Sequence, residues 1–191
     1  MENLFLVCII PPLTVVEDID EIRNDVSSKY NVHESLKRPA HITLYNPVKL
    51  SSLLQEQNFF SALEQAVFTD SFNQVLKNFN GFKPYTVYIG VQQNEGIMHL
   101  QAQIKNELKP LELLPAKTNF KFNPHLTIAF KDVKPAVFDS IMNEYKEKQF
   151  KRTFPVNSFW VYKHIDKRWQ PYKEFIFKGN TAKQKPPSLF D

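Results

Sequence analysis

The stretch His41-Ile42-Thr43-Leu44 returns in the second half of the chain as His125-Leu126-Thr127-Ile128. Each copy reads His, apolar, Thr, apolar. On a β-strand, alternate side chains share a face. His and Thr therefore point one way, while Ile42, Leu44, Leu126 and Ile128 point the other way into a core. Two such strands present an acid, a base and hydroxyl donors around one cleft. That inventory suits a phosphodiester reaction in which one group accepts a proton and another donates one.

Outward from the motifs, the two halves follow the same order. Leu4–Ile10 reads as a buried first strand closed by Pro11-Pro12, and Glu17 to Tyr30 as a helix with Ile19, Ile22 and Val26 at helical spacing. Arg38-Pro39 forces extended backbone into the first motif strand, and Asn46-Pro47 ends it. A helix over Ser51–Phe68 follows, continuing past a break near Asp70 toward Leu76, and then a strand over Pro84–Val91. Gly96–Ile104 reads as the next strand, joined to the last by a hairpin turn at Gln93-Asn94-Glu95-Gly96. A short helical stretch over Leu108–Leu114 leads to Asn123-Pro124 and the second motif strand. A helix at Ala136–Lys148 and strands at Phe154–Lys163 and Tyr172–Lys178 follow, the last two joined by a turn near Asp166-Lys167. Val48-Lys49 after the first motif answers Val133-Lys134 after the second, and Phe82-Lys83-Pro84 answers Phe154-Pro155. Strand-helix-strand-helix-strand, twice over, predicts a two-lobed α+β fold with an approximate two-fold axis. Residues 1–180 would form one domain, and 181–191 a loosely held tail.

Composition narrows the function classes. The chain has 191 residues, with a net charge of +4, 17 Phe and 7 Tyr. The mild basic excess suits an anionic substrate without being the dense stripe of a duplex binder. One cysteine, Cys8, permits no internal disulfide, and Leu4–Ile10 is too short to span a membrane. The expectation is a soluble, cytoplasmic protein, with a monomer as the default. With only 4 Gly there is no phosphate loop, and no serine sits in a nucleophile elbow. No His-Glu-x-x-His run, cysteine pair or carboxylate cluster accompanies the motifs, so neither a metal nor another cofactor is expected.

One His-x-Thr in an apolar strand is weak evidence, since a lone strand histidine is usually structural. Two copies in equivalent places are another matter. Polar groups facing a core need partners; facing a shared groove, they need only a substrate. His33 and His164 lack this support and read as solvated, and His99, on the strand read over Gly96–Ile104, reads as structural. Tyr45, two residues beyond Thr43, shares its face, while Ala129 takes the equivalent place in the second copy. Tyr45 either stacks a base or packs between lobes. Tyr162 and Trp169 face the same alternatives, with packing favoured for Trp169. Lys131, Lys163 and Arg168 are candidates for further phosphates.

These residues resemble the two-histidine (2H) phosphoesterase superfamily, whose signature is a pair of His-x-Thr/Ser-x motifs in a duplicated chain. Arg38-Pro39-Ala40 and Asn123-Pro124 before the motifs, with Val161-Tyr162-Lys163 and Arg168-Trp169 beyond, are similar to the bacterial 2′-5′ RNA ligase-like branch. The resemblance covers nearly all of residues 3 to 178. It implies a metal-independent phosphodiesterase that opens 2′,3′-cyclic phosphate or 2′-5′ phosphodiester ends of RNA or nucleotides, with or without reversible 2′-5′ ligation. It also implies His41 as the acid at the leaving ribose oxygen, His125 as the base at water, and Thr43 and Thr127 as donors to the non-bridging oxygens. Pseudo-symmetry makes either order of the histidines chemically sensible. Two rivals stay open: a phosphodiesterase of a non-RNA metabolite, and an RNA- or nucleotide-binding regulatory module with little turnover.

Overall fold

The structure is a computed structural model describing residues 3–113 and 122–179. Its elements are β1 (Asn3–Ile9), α1 (Leu13–Tyr30), β2 (Ile42–Leu50), α2 (Leu53–Gln65), β3 (Phe72–Phe82) and β4 (Thr86–Val91). They continue with α3 (Glu95–Leu108), β5 (His125–Phe130), α4 (Pro135–Tyr145), β6 (Lys151–Val156), β7 (Ser158–Ile165) and β8 (Arg168–Ile176). The strands form one antiparallel sheet in the order β6-β3-β4-β5-β2-β1-β7-β8. The fold is α+β, and its halves meet where β2 and β5 pair at the single position Ile42↔Leu126.

The two motif strands are thus central neighbours, each flanked outward by the first strand of its own repeat, β1 or β4. Helices cross the join: α1 packs on β5 and α4, while α3 packs on β2 and α2. The third strand breaks the symmetry. β3 crosses beside β4, and the matching place beside β1 is filled by β7. A large core lies between the helices and the sheet, built on Phe5, Ile42, Leu44, Phe59, Leu126 and Ile128. Burying each such side chain contributes about 1.5–3 kcal/mol. The phenylalanine excess has a place here: Phe5, Phe59 and Phe60 pack ring on ring under α2, and Phe159 stacks on Phe175 at 4.8 Å.

Several local expectations are corrected. Gly96–Ile104 lies within α3, not in a strand, and there is no hairpin at 93–96. Asn94 caps that helix, its Oδ1 accepting from Ile97 N at 3.0 Å, and Ile97, Leu100, Ile104 and Leu108 form the buried stripe. Gly96 is required there, because a Cβ would stand 2.3 Å from the Phe72 ring. Residues 108–111 finish α3 and a short 3₁₀ turn, and 114 lies outside the described residues. The segment toward Leu76 is β3, paired on both sides, and not a helix extension; Phe82 is the last residue of β3, so Phe82-Lys83-Pro84 closes a strand and does not open one. Phe154–Lys163 is two strands broken at Asn157, since β6 pairs with β3 near one edge and β7 with β1 in the other half.

β2 also runs through Asn46-Pro47 to Leu50. Register shifts between β1 and β2 absorb the proline, and β5 pairs only at Ile42, so its missing N–H breaks no ladder there. The tail expected at 181–191 lies outside the described residues.

Candidate active site

The motif rows come together as the alternation requires. Ile42 and Leu126 are fully buried beneath the join. Extending their pairing one residue each way sets His41 beside Thr127 and Thr43 beside His125. The histidines occupy diagonal corners, with Cβ atoms about 7–8 Å apart by sheet geometry, which leaves room for a phosphoryl group. All four side chains line one cavity of about 760 Å³.

Each histidine is held the same way. His41 Nδ1 donates to Pro39 O at 2.7 Å, and His125 Nδ1 donates to Asn123 O at 2.9 Å. A carbonyl only accepts, so both rings carry a proton on Nδ1 and offer Nε2 to the groove. Pro39 and Asn123 are each two residues upstream, so the repeat extends to the support of the ring. Burial pushes His41 down to about 4; the bond to Pro39 opposes this, and the charges of Arg38, Arg23 and His125 add to it.

The segment before the first motif is fixed by Arg23, which lies on the buried side of α1 and is 3% exposed. Its Nη2 donates to Arg38 O at 2.7 Å and to Ser35 O, and Nη1 donates to Asp20 at 2.6 Å. From the end of β5, Asp132 Oδ2 accepts from the backbone N–H of His33 at 2.6 Å and of Glu34 at 3.0 Å. The approach to one motif is therefore tied to the exit of the other. The Arg38 guanidinium lies over the Phe130 ring at 4.9 Å and the Trp169 ring at 5.8 Å, and burial lowers its pKa.

Matching register shifts follow both motifs. Cys8 pairs with Thr43 but Val7 with Tyr45; Tyr88 pairs with Thr127 but Val87 with Ala129. Tyr45 and Ala129 thus keep equivalent register, but in the second copy Ala129 is buried in the core and Phe130 lines the cavity. Tyr45 packs partly on the main core while still lining the cavity.

His41, Thr43, Tyr45, His125 and Thr127 are thus brought together, and Lys131, Tyr162, Lys163 and Arg168 are not among the lining residues. Lys131 is exposed just past β5, with φ 74°. Tyr162 is buried with Leu6, Cys8 and Trp169, and burial pushes its hydroxyl up to about 12. Lys163 Nζ lies 5.4 Å from the Phe5 ring, and Arg168 is exposed at the β7–β8 turn. His33 and His164 are exposed as expected; His99 is exposed on α3, not on a strand. Among the described residues, no group of three His, Cys, Asp or Glu side chains could hold a metal ion.

The lining residues that sequence reasoning did not assign include Arg23, Arg38, Phe82 and Phe122. Arg23 carried a signal, since it is a charge inside the Ile19, Ile22, Val26 stripe. Phe82 packs edge-on to the His125 ring at 4.9 Å, and Tyr88 lies 5.3 Å from the same ring. Neither contact is visible in local sequence.

A family model described as the 2′-5′ RNA ligase superfamily matches residues 11–168. Among solved structures, the chain is similar to E. coli LigT complexed with 3′-AMP, at TM-score 0.69 and 19% identity, over 93% of this chain and 99% of that one. It is also similar to TT0787 of Thermus thermophilus, at TM-score 0.66 and 16% identity, over 93% and 98%. Usb1 of Kluyveromyces marxianus follows at TM-score 0.52 and 13% identity, over 92% and 97%. At such identities the structural likeness concerns the fold. No match was found among curated proteins.

Proposed function

The chain belongs to the 2′-5′ RNA ligase superfamily, and from that premise we propose that it is a phosphodiesterase opening 2′,3′-cyclic phosphate or 2′-5′ phosphodiester ends of RNA or nucleotides. The observation that carries this reading is the pair of Nδ1-anchored imidazoles, each offering Nε2 to one cavity beside a threonine hydroxyl. In-line attack of water on a cyclic phosphate needs a proton acceptor near the water and a donor at the leaving oxygen, on the opposite side of phosphorus. Two imidazoles at diagonal corners supply both. Thr43 and Thr127 hydrogen-bond the non-bridging oxygens, where charge concentrates as the transition state forms. These groups complete the step without a cation.

The complexes of E. coli LigT with 3′-AMP and with ATP agree in ligand class with a nucleotide substrate. A pure binding module would have no use for two imidazoles locked in one tautomer. The test is a panel of cyclic mononucleotides, cyclic-ended oligoribonucleotides and 2′-5′ dimers, assayed with excess chelator. Turnover of at least one class is expected. Binding without turnover across the panel would replace the enzyme by the binder, and activity that needs added divalent ion would move the chain to another mechanism.

A further inference from the structure

The groove face of the sheet runs on past the cavity, and the strand register fixes what lies there. Gly90 stands opposite His125, Lys77 opposite Gly90, and Lys151 opposite Lys77. These four residues form one row across β5, β4, β3 and β6. Opposed residues share a face, so the row lies on the side that carries the His125 imidazole. The neighbouring residues agree. Leu76 is fully buried in the core, and Arg152, opposite it, donates to Asp18 of α1 at 2.6 Å. Lys77 and Lys151 therefore turn away from the helices, and both are exposed. At one strand spacing per step, Lys77 lies roughly 10 Å and Lys151 roughly 14 Å from His125 across the sheet. The floor between is bare backbone, because a Cβ on Gly90 would stand 2.7 Å from Lys77 O.

Two ammonium groups directly opposite one another repel. Among the described residues no ion pair or hydrogen bond engages either of them. The groove-facing positions around them, Asn73, Val75, Tyr88, Thr153 and Pro155, carry no acid. Residues 114–121, ahead of the second motif, contain no Asp or Glu. The other half of the frame has no such pair. Extending the β1 pairings past Ile9 sets Ile10 beside His41 and Ser158 beside Ile10, and Ile176 stands opposite Ser158. The duplicated sheet thus carries this row of cations on one wing only. An ammonium acts on a phosphate as a point charge, and a basic track suits the successive phosphates of a single strand. Resting on the phosphodiesterase reading, we propose that Lys77 and Lys151 are a docking strip for the backbone phosphates of a single RNA strand, which leaves the cavity past His125 over Gly90. The substrate is then an oligoribonucleotide, held beyond the reacting linkage, and not a free nucleotide.

The probe is a hexaribonucleotide with a central 2′-5′ linkage, so that a strand leaves the site on both sides. It is bound in the His41→Ala background, which keeps it intact, and its affinity relative to that of 3′-AMP is followed from about 50 to 200 mM salt. Lys77→Gln and Lys151→Gln are each expected to lower that ratio by ~3–10-fold at the low-salt end. Each should also flatten the slope of log affinity against log salt by about 0.7. Lys146→Gln removes the same charge from an exposed lysine at the end of α4, on the helix side, and is expected to change neither quantity. Circular dichroism confirms that each variant is folded. An unchanged ratio in both strip variants overturns the strip, and so does an equal fall in Lys146→Gln, which would reduce the effect to net charge. Weaker binding of ATP with none lost for the hexanucleotide gives the lysines to a polyphosphate and overturns the strand. A wild type that cleaves neither the hexanucleotide nor a 2′,3′-cyclic nucleotide overturns the phosphodiesterase reading instead, separately from what the binding ratios show.

Discussion

The perturbation that isolates His41 is acid. An unperturbed imidazole titrates near 6.5, and burial brings this one to about 4 in the folded chain. Between those values the unfolded chain binds a proton that the folded chain refuses, so stability rises with pH. The contribution is fully present above about pH 6.5, falls as the pH drops toward 4, and changes no further below it. A gap of about 2.5 pK units corresponds to roughly 3 kcal/mol, an upper figure for a half-buried ring. His41→Asn keeps a nitrogen near Nδ1 for Pro39 O and removes the titration. Urea unfolding of both proteins at half-unit steps from pH 7 to pH 4 should show the wild type losing about 2–3 kcal/mol more than the variant. Superimposable pH slopes would refute the argument, because the ring would then take its proton equally in both states.

Other substitutions probe the frame around the site. Arg23→Gln leaves Ser35 O and Arg38 O short of donors in a buried place; it should cost about 3–5 kcal/mol by urea unfolding and lower activity through the displaced approach to His41. Gly96→Ala drives a methyl into the Phe72 ring and should lower stability by about 1–3 kcal/mol in the same assay. Thr43→Val and Thr127→Val preserve shape while removing one donor each, so kcat should fall by ~10²-fold with KM little changed. A rise in KM alone would make the hydroxyls ground-state ligands.

What was legible in sequence, and what was not, follows from where each signal resides. The motif strands could be read because strict alternation puts a polar pair and an apolar pair on opposite faces, and the burial of Ile42, Leu44, Leu126 and Ile128 follows it. The segment 96–104 misled because its apolar residues satisfy both a period of two and a helical spacing; the Asn94 cap and packing on α2 decide for helix. That Phe130 and not Ala129 lines the cavity depends on the neighbouring strands, which no local pattern reports. Arg38 marked extended backbone in the sequence, yet its role at the cavity depends on Phe130 and Trp169, brought beside it by β5 and β8. The eight motif residues are read from local sequence; the residues that surround them in the cavity are brought there by tertiary structure.

The central claim is that the two motif histidines exchange protons with one phosphodiester. It is tested most directly by single-turnover hydrolysis of a 2′,3′-cyclic nucleotide with wild type, His41→Ala, His125→Ala and the double variant, in excess chelator. Because acceptor and donor serve one transition state, each single variant should lose ~10²–10⁴-fold, and the double variant much less than the product of the two losses. A folded double variant that turns over at the wild-type rate contradicts the account.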